Sequence, residues 1–190
     1  MQKKQKPKNT TENKSKSIIL VFLIATLLLI IPLLGNNFVN GWNWTLGDFI
    51  FAWIMFAFFG LAYVLVSRKM NNPAYKTAVG IAVITSFLLI WINAAVGIIG
   101  DGPVNILYPG VIILGVIGAL IARFRPKGMF KTLFLMAVVQ MLVPIIALFI
   151  WPAEVVWSPG IFRVFCLTVF FSALFVVSAL LFRKAARIRN

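Results

Sequence analysis

Residues 49–66 read FIFAWIMFAFFGLAYVLV and residues 18–34 read IILVFLIATLLLIIPLL, so both stretches are apolar along almost their whole length. A helix needs about 20 such residues to cross the hydrocarbon core of a bilayer. Transmembrane β-strands would instead alternate apolar and polar residues. Hydrophobic residues make up 62% of the chain, whereas soluble domains contain roughly 45 to 50%. These features predict an all-α membrane protein.

Four further apolar segments of similar length follow along the chain. We predict a bundle of six transmembrane helices, at about residues 17–35, 46–66, 78–99, 105–122, 131–151 and 161–182. The transmembrane domain then covers residues 17–183, and residues 184–190 form a short basic tail. Residues 1–16 are too polar to bury against a core, and we expect a disordered basic tail there.

The basic residues are distributed unevenly between the two sides of this pattern. All but one of the 18 Lys and Arg residues precede the first segment, follow the sixth, or lie in the second and fourth connections, and Arg163 is the exception. Short loops that are rich in Lys and Arg stay in the cytoplasm. The pattern therefore predicts that both termini are cytoplasmic and that the protein is a multi-pass protein of a bacterial inner membrane.

The composition also argues against several classes of function. The chain has no His and one Cys, Cys166, which removes imidazole ligation and internal disulfide chemistry, so we expect no metal and no cofactor. The net charge of +14 is explained by attraction to anionic lipids at the cytoplasmic surface, so we expect no nucleic-acid partner. We also expect that the protein is not an enzyme.

A few polar residues fall within or next to the apolar segments, where they are costly and are often functional. Asn93 lies on one face of the third segment with Ser86, Gly97 and Gly100, and Gln140 lies near the middle of the fifth segment. Two interpretations stay open for Asn93 and for Gln140. Each side chain either makes a hydrogen bond between packed helices or lines a polar cavity.

Other candidates lie near the predicted outer surface. The candidate ligand-binding residues are Asn93, Asp101, Asn105, Gln140, Asp48 and Arg163. Arg163 begins the sixth segment, where an unpaired cation is unfavourable, so we expect a carboxylate partner from Asp48, Asp101 or Glu154. Residues 101–105 predict a tight turn in which Asn105 caps the segment that follows.

The fourth segment begins close to Pro109 and carries small residues on one face. Gly115, Gly118 and Ala122 share that face, so another helix can approach it closely. Pro109 suits the first turn of a helix, whereas Pro144 lies inside the fifth segment and frees a backbone carbonyl there.

The stretch WINAAVGIIG, residues 91–100, resembles a segment of small uncharacterised bacterial multi-pass membrane proteins, a resemblance that implies no activity. The six-helix architecture is similar to the substrate-binding subunits of energy-coupling vitamin importers. Those subunits usually carry an AxxxA motif in their first helix, where this chain has Ala25 followed by Leu29.

The polar face of the third segment opens towards the acidic outer residues, and this pattern predicts binding or transport of a small solute or ion. The alternative is an accessory or scaffold subunit that packs on a membrane-protein partner through the small residues of the fourth segment. A lipid-modifying enzyme that uses Asp48, Asp101 or Glu154 as an acid or base is a third hypothesis.

Overall fold

The computed structural model describes residues 10–100, 102–150 and 160–187, and their regular structure is helical without strands. Six of the helical spans are long and apolar enough to cross a membrane, which confirms the predicted fold class. The helices are α1 (Thr10–Leu28), α2 (Ile30–Phe38), α3 (Leu46–Ser67), α4 (Pro73–Val96), α5 (Leu107–Ile121), α6 (Pro126–Ile150) and α7 (Ile161–Arg187), with a 3-10 turn at Pro103–Ile106 before α5.

The first predicted span consists of two helices, α1 and α2, which are separated at Leu29. Pro32 explains the interruption, because its nitrogen cannot donate to the carbonyl of Leu28 and its ring crowds that carbonyl. Leu29 donates instead to the carbonyl of Thr26 at 3.2 Å, in a tighter turn. Helix α1 begins at Thr10, so residues 10–16 of the predicted basic tail continue the first span as helix.

Three helices extend past the predicted segments at their basic ends. Helix α4 begins at Pro73, α6 begins at Pro126 and α7 continues to Arg187. At the start of α4, the Asn72 side chain accepts a hydrogen bond from the backbone nitrogen of Tyr75. The segment predictions ended where the apolar residues end, whereas a helix continues until its backbone groups are capped.

The chain forms two compact units, one up to Leu65 and one from Val66 onwards. In unit 1, α1 packs on α3. The rings of Phe22 and Trp53 stack with their centroids 5.7 Å apart, and Trp53 Nε1 donates to Thr26 Oγ1 at 3.1 Å. Gly60 permits this approach, since a Cβ there would lie 2.7 Å from a methyl carbon of Val21.

Unit 2 is an antiparallel bundle in which α7 packs against both α4 and α6, and α5 packs against α6. Two hydrogen bonds between helices fix α7 to its neighbours. Ser178 Oγ donates to the carbonyl of Ala78 on α4, and Ser172 Oγ donates to the carbonyl of Ala137 on α6, each at 2.8 Å. The aromatic side chains of α7, among them Phe171, fill the space between the helices.

The small residues of the fourth predicted span pack within the chain. Gly115 lies against Met136, and Gly118 lies against Thr132, where a Cβ on Gly118 would be 2.6 Å from Cγ2. The fourth span is therefore confirmed, with Pro109 in the first turn of α5. The scaffold hypothesis offered the face of Gly115 and Gly118 to another protein, and in the structure α6 of the same chain covers these two glycines.

Candidate functional site

Gln140 lies in the core of unit 2, on the buried face of α6, and its side chain is 0% exposed. Neither its amide nitrogen nor its amide oxygen has a hydrogen-bond partner in the part of the chain that the structure describes. The backbone of the same residue is also incompletely paired, because Pro144 has no N–H to donate to the Gln140 carbonyl. One residue thus offers two donors and several acceptors inside an apolar bundle.

Tyr108 is a second fully buried polar side chain, at the start of α5. Its hydroxyl approaches the hydroxyl of Thr168 on α7, although no hydrogen bond with good geometry forms to any described residue. Thr168 itself donates to the carbonyl of Val164 one turn earlier, at 2.8 Å. The Thr168 oxygen is therefore the nearest polar group that the Tyr108 hydroxyl faces.

Asn93 lies near the end of α4 and is half-buried. Its Nδ2 donates to the backbone carbonyl of Asn105 at 3.1 Å, so the structure brings these two predicted site residues together. The Oδ1 of Asn93 is buried and has no partner among the described residues. The amide of Asn93 thus makes a structural contact and also leaves one acceptor open.

The packing register places these three residues at successive depths. Ser178 on Ala78 aligns Asn93 with about residue 163 of α7, and Ser172 on Ala137 aligns Gln140 with about residue 169. The α5–α6 contacts align Tyr108 between these two levels. At 1.5 Å per residue, neighbouring levels are about 4 Å apart along the bundle. We call Asn93, Tyr108 and Gln140 the polar ladder.

Asn105 holds the connection between α4 and α5 together. Its Oδ1 accepts hydrogen bonds from the backbone nitrogens of Ile98 and Ile99, each at 3.0 Å, and its Nδ2 donates to the carbonyl of Gly100. The prediction that Asn105 caps the following helix was wrong. The side chain bonds backwards to the end of α4, because residues 103–106 form a 3-10 turn and Ile106 precedes α5 without a side-chain cap.

Gly97 is required by the same connection. Its φ is +61°, a conformation that residues with a Cβ rarely adopt, and a Cβ there would lie 2.3 Å from the carbonyl oxygen of Gly100. The WINAAVGIIG stretch thus contains both the ladder residue Asn93 and the glycines of a tight loop. The backbone geometry of this loop explains why glycines occur in the stretch.

Asp48 lies at the start of α3 in unit 1, where its carboxylate accepts hydrogen bonds from the backbone nitrogen and the hydroxyl of Thr45, each at 2.7 Å. A carboxylate in the first turn also interacts favourably with the helix dipole. The geometry gives Asp48 the role of a helix cap.

Arg163 is exposed in the first turn of α7, and no ion pair joins it to the residues that the structure describes. Two of its three expected partners, Asp101 and Glu154, lie outside the described residues. The described ranges also contain no cluster of His, Cys, Asp or Glu side chains that could hold a metal ion.

The sequence-based list did not include Tyr108 and Thr168. Tyr108 lies close to the start of an apolar segment, where tyrosine is common at the lipid interface, and Thr168 is one hydroxyl in a long apolar run. Only the folded bundle brings the two hydroxyls close together. The sequence carried a signal for Gln140 and Asn93, since an amide within an apolar span is rare, and it carried none for Tyr108 and Thr168.

No family model matches the chain, and comparisons with curated proteins and with solved structures give no match.

Proposed function

We propose that this integral membrane protein binds a small polar solute or ion at the polar ladder of unit 2 and carries it across the bilayer. One observation carries the proposal. The fully buried amide of Gln140 has neither its donor nor its acceptor paired within the described chain.

The energetic cost of this arrangement supports a binding role. A buried polar group without a partner destabilises a fold by about 1 to 3 kcal/mol, and the ladder contains four such atoms. Methionine would fill the place of Gln140 without that cost. A polar ligand that bonds to these atoms recovers the lost free energy, which is the behaviour expected of a binding site.

The chemistry of the ladder favours a solute that is neutral or carries a single charge. Its groups are two amides, a phenol and the free carbonyl of Gln140, and the neighbouring hydroxyl belongs to Thr168. A small molecule with both donors and acceptors can satisfy several of them. A multiply charged ion would meet no opposite charge here, because the described residues of unit 2 include no Asp or Glu.

The ladder also suggests the direction of entry. It starts at the end of unit 2 that carries Asn93 and stops at Gln140. Beyond Gln140 the buried face of α6 continues with Met136, Leu133 and Met129, and Thr132 is the buried polar side chain among them. A solute would therefore enter beside Asn93. Passage past the apolar half requires α6 to move, and Pro144 weakens the helix one turn away from Gln140.

We place the protein in the cell membrane with anionic lipids at its basic surface, and we assign it no catalysis. Arg163, and Asp101 by its place in the sequence, remain candidates for the first contact with the solute.

Proteoliposomes that contain the full chain test the proposal directly. Uptake of urea, glycerol, small sugars, K⁺ and Na⁺ is compared between wild type, Gln140→Met, Tyr108→Phe, Asn93→Ala and Asp101→Ala. We expect at least one solute to enter with wild type and about tenfold more slowly with Gln140→Met, since a hydrogen bond to the solute is lost.

The control is Ser172→Ala, which removes a contact between helices at a similar depth and leaves the ladder intact. Equal uptake by wild type and Gln140→Met, in vesicles where the wild type gives a clear signal, would refute a role for the ladder. A wild type that passes none of the panel and binds none of it in equilibrium dialysis would refute the transport proposal as a whole.

A further inference from the structure

The basic end of unit 2 concentrates positive charge without any balancing acid. Every Lys and Arg described in this unit lies at that end except Arg163, and no Asp or Glu occurs among the described residues of the unit. These basic residues lie in the α3–α4 and α5–α6 connections, in the first turns of α4 and α6, and in the last turns of α7. No described acidic residue of the unit balances these charges, so this end of the unit attracts anions.

One face of α6 combines positive charge with an aromatic surface. Lys127, Phe130, Lys131 and Phe134 lie three or four residues apart, so they share a helical face. Both lysines are exposed, and Phe134 is 50% exposed although it is a large apolar side chain. The face thus changes from basic at the helix end to aromatic about one turn deeper.

Helix α7 adds a second charge to the same place. The guanidinium of Arg183 lies over the ring of Phe130, 5.8 Å from its centroid, and the Phe130 and Phe134 rings are 6.2 Å apart. A cation held over an aromatic ring keeps its N–H groups free at its edge to bind an oxyanion. Arg183 therefore lies against the same aromatic surface that Lys127 and Lys131 flank on α6, and no described acid neutralises it.

We propose that this face of α6, together with Arg183, binds an anionic phospholipid. The phosphate contacts Arg183 and Lys127, and the acyl chains lie along Phe130 and Phe134. A phosphate matches the planar fork of arginine, and the apolar half of the face matches a lipid chain. A soluble phosphate would use only the basic half, and a nucleic acid could not follow the face to Phe134, which lies within the membrane-spanning length of α6.

Native mass spectrometry of the full chain in a mild non-ionic detergent tests this assignment. Phosphatidylglycerol and phosphatidylcholine are titrated separately, and bound lipids are counted on wild type and on Lys127→Gln/Arg183→Gln. We expect wild type to prefer phosphatidylglycerol. We expect the double variant to bind it about 30-fold more weakly, because two basic contacts to the phosphate are lost.

A matched control removes the same charge from the same end of the unit. Lys69→Gln/Lys76→Gln acts at the Phe124 ring and at Asn71, which do not belong to the proposed face of α6. We expect this variant to keep its affinity for phosphatidylglycerol within about threefold. An equal loss in both double variants would show diffuse attraction and would overturn a defined site.

Two further arms separate the lipid from other phosphates. Phe134→Ser should weaken binding of phosphatidylglycerol, and glycerol phosphate at equal concentration should not displace it. Displacement by glycerol phosphate, displacement by a short RNA, or equal binding of the two lipids would each overturn the assignment. Arg183→Lys keeps the charge but loses the planar fork, so we expect it to bind phosphatidylglycerol more weakly than wild type and more tightly than the double variant.

Discussion

Gln140 and Pro144 stand four residues apart on α6, and each leaves backbone or side-chain groups of the same turn without a partner. A transmembrane helix normally satisfies all its backbone bonds internally, since the bilayer offers none. Unpaired groups at one point of an otherwise regular helix are therefore costly. They also make this turn the place where α6 can most easily exchange an internal contact for a ligand.

Replacement of Gln140 by methionine should stabilise the protein. The two side chains are similar in volume, and the substitution removes two unpaired polar atoms, so the free energy of unfolding should rise by about 1 to 3 kcal/mol. Denaturant unfolding of the purified chain in detergent, followed by tryptophan fluorescence, measures the change. Ser172→Ala, which removes a satisfied bond, should instead lower stability by about 0.6 kcal/mol. A destabilised Gln140→Met would mean that the amide has a structural partner.

Replacement of Asn105 by alanine should loosen the connection between α4 and α5. The backbone nitrogens of Ile98 and Ile99 would both lose their acceptor, so we expect the free energy of unfolding to fall by about 2 to 4 kcal/mol. Hydrogen exchange of these two amides provides a local measurement. They should exchange much faster in Asn105→Ala, whereas amides in the middle of α6 should keep their protection, and unchanged exchange at residues 98 and 99 would contradict the assigned role.

At the level of single residues, the sequence showed which side chains are energetically unfavourable within the membrane. It did not show which groups those side chains contact. Gln140 and Asn93 were identifiable because an amide within an apolar span is unusual wherever it points. The partners of Asn105 could not be predicted in the same way. Its backward bonds depend on the positive φ of Gly97 and on a 3-10 turn, and neither follows from residue type alone.

At the level of helices, α5 and α6 illustrate how small residues set packing. Gly115 and Gly118 let the two backbones approach, with Met136 and Thr132 filling the space above them. The spacing of the glycines predicted a close helix contact, and the contact exists. The sequence could not identify the partner, because any helix of suitable shape fits a surface of glycines.

Gly118→Leu should destabilise unit 2 by about 1 to 3 kcal/mol, because a larger side chain collides with Thr132 and separates α5 from α6. Gly110→Leu is the matched control, since a Cβ at Gly110 meets nothing within 4 Å. Thermal unfolding in detergent compares the two variants. Equal unfolding temperatures would show that the α5–α6 contact is looser than the structure indicates.

The boundaries of the helices were harder to predict than their existence. Hydropathy identifies the six spans because the bilayer requires long apolar helices. It does not report where a helix is capped, so the start of α4 at Pro73, after the Asn72 cap, escaped detection. The break at Leu29 was also missed, although Pro32 provides a reason for it in the sequence.

At the scale of the whole molecule, side-chain packing sets how the helices are arranged, and the distribution of charge sets which way they face in the membrane. The packing of α4 to α7 is specified by side chains such as Ser172, Ser178 and Phe171, and it would be the same whichever way the bundle faced. Orientation depends on where Lys and Arg lie relative to the spans. The six spans are visible in the structure, while their direction rests on the charge pattern of the sequence alone.

The charge pattern predicts that the N-terminus and the C-terminus both face the cytoplasm. Alkaline phosphatase, which is active only outside the cytoplasm, and green fluorescent protein, which matures inside it, are fused in turn to each end of the chain. We expect fluorescence and no phosphatase activity at both ends. Fusions within the connection between α2 and α3 should show the opposite behaviour, because an odd number of crossings separates them from the N-terminus.

Removal of the basic residues between α3 and α4 and between α5 and α6 should give mixed orientations, since the remaining Lys and Arg residues no longer favour one orientation strongly. Phosphatase activity at one terminus and fluorescence at the other would require an odd number of spans and would contradict the six-span topology.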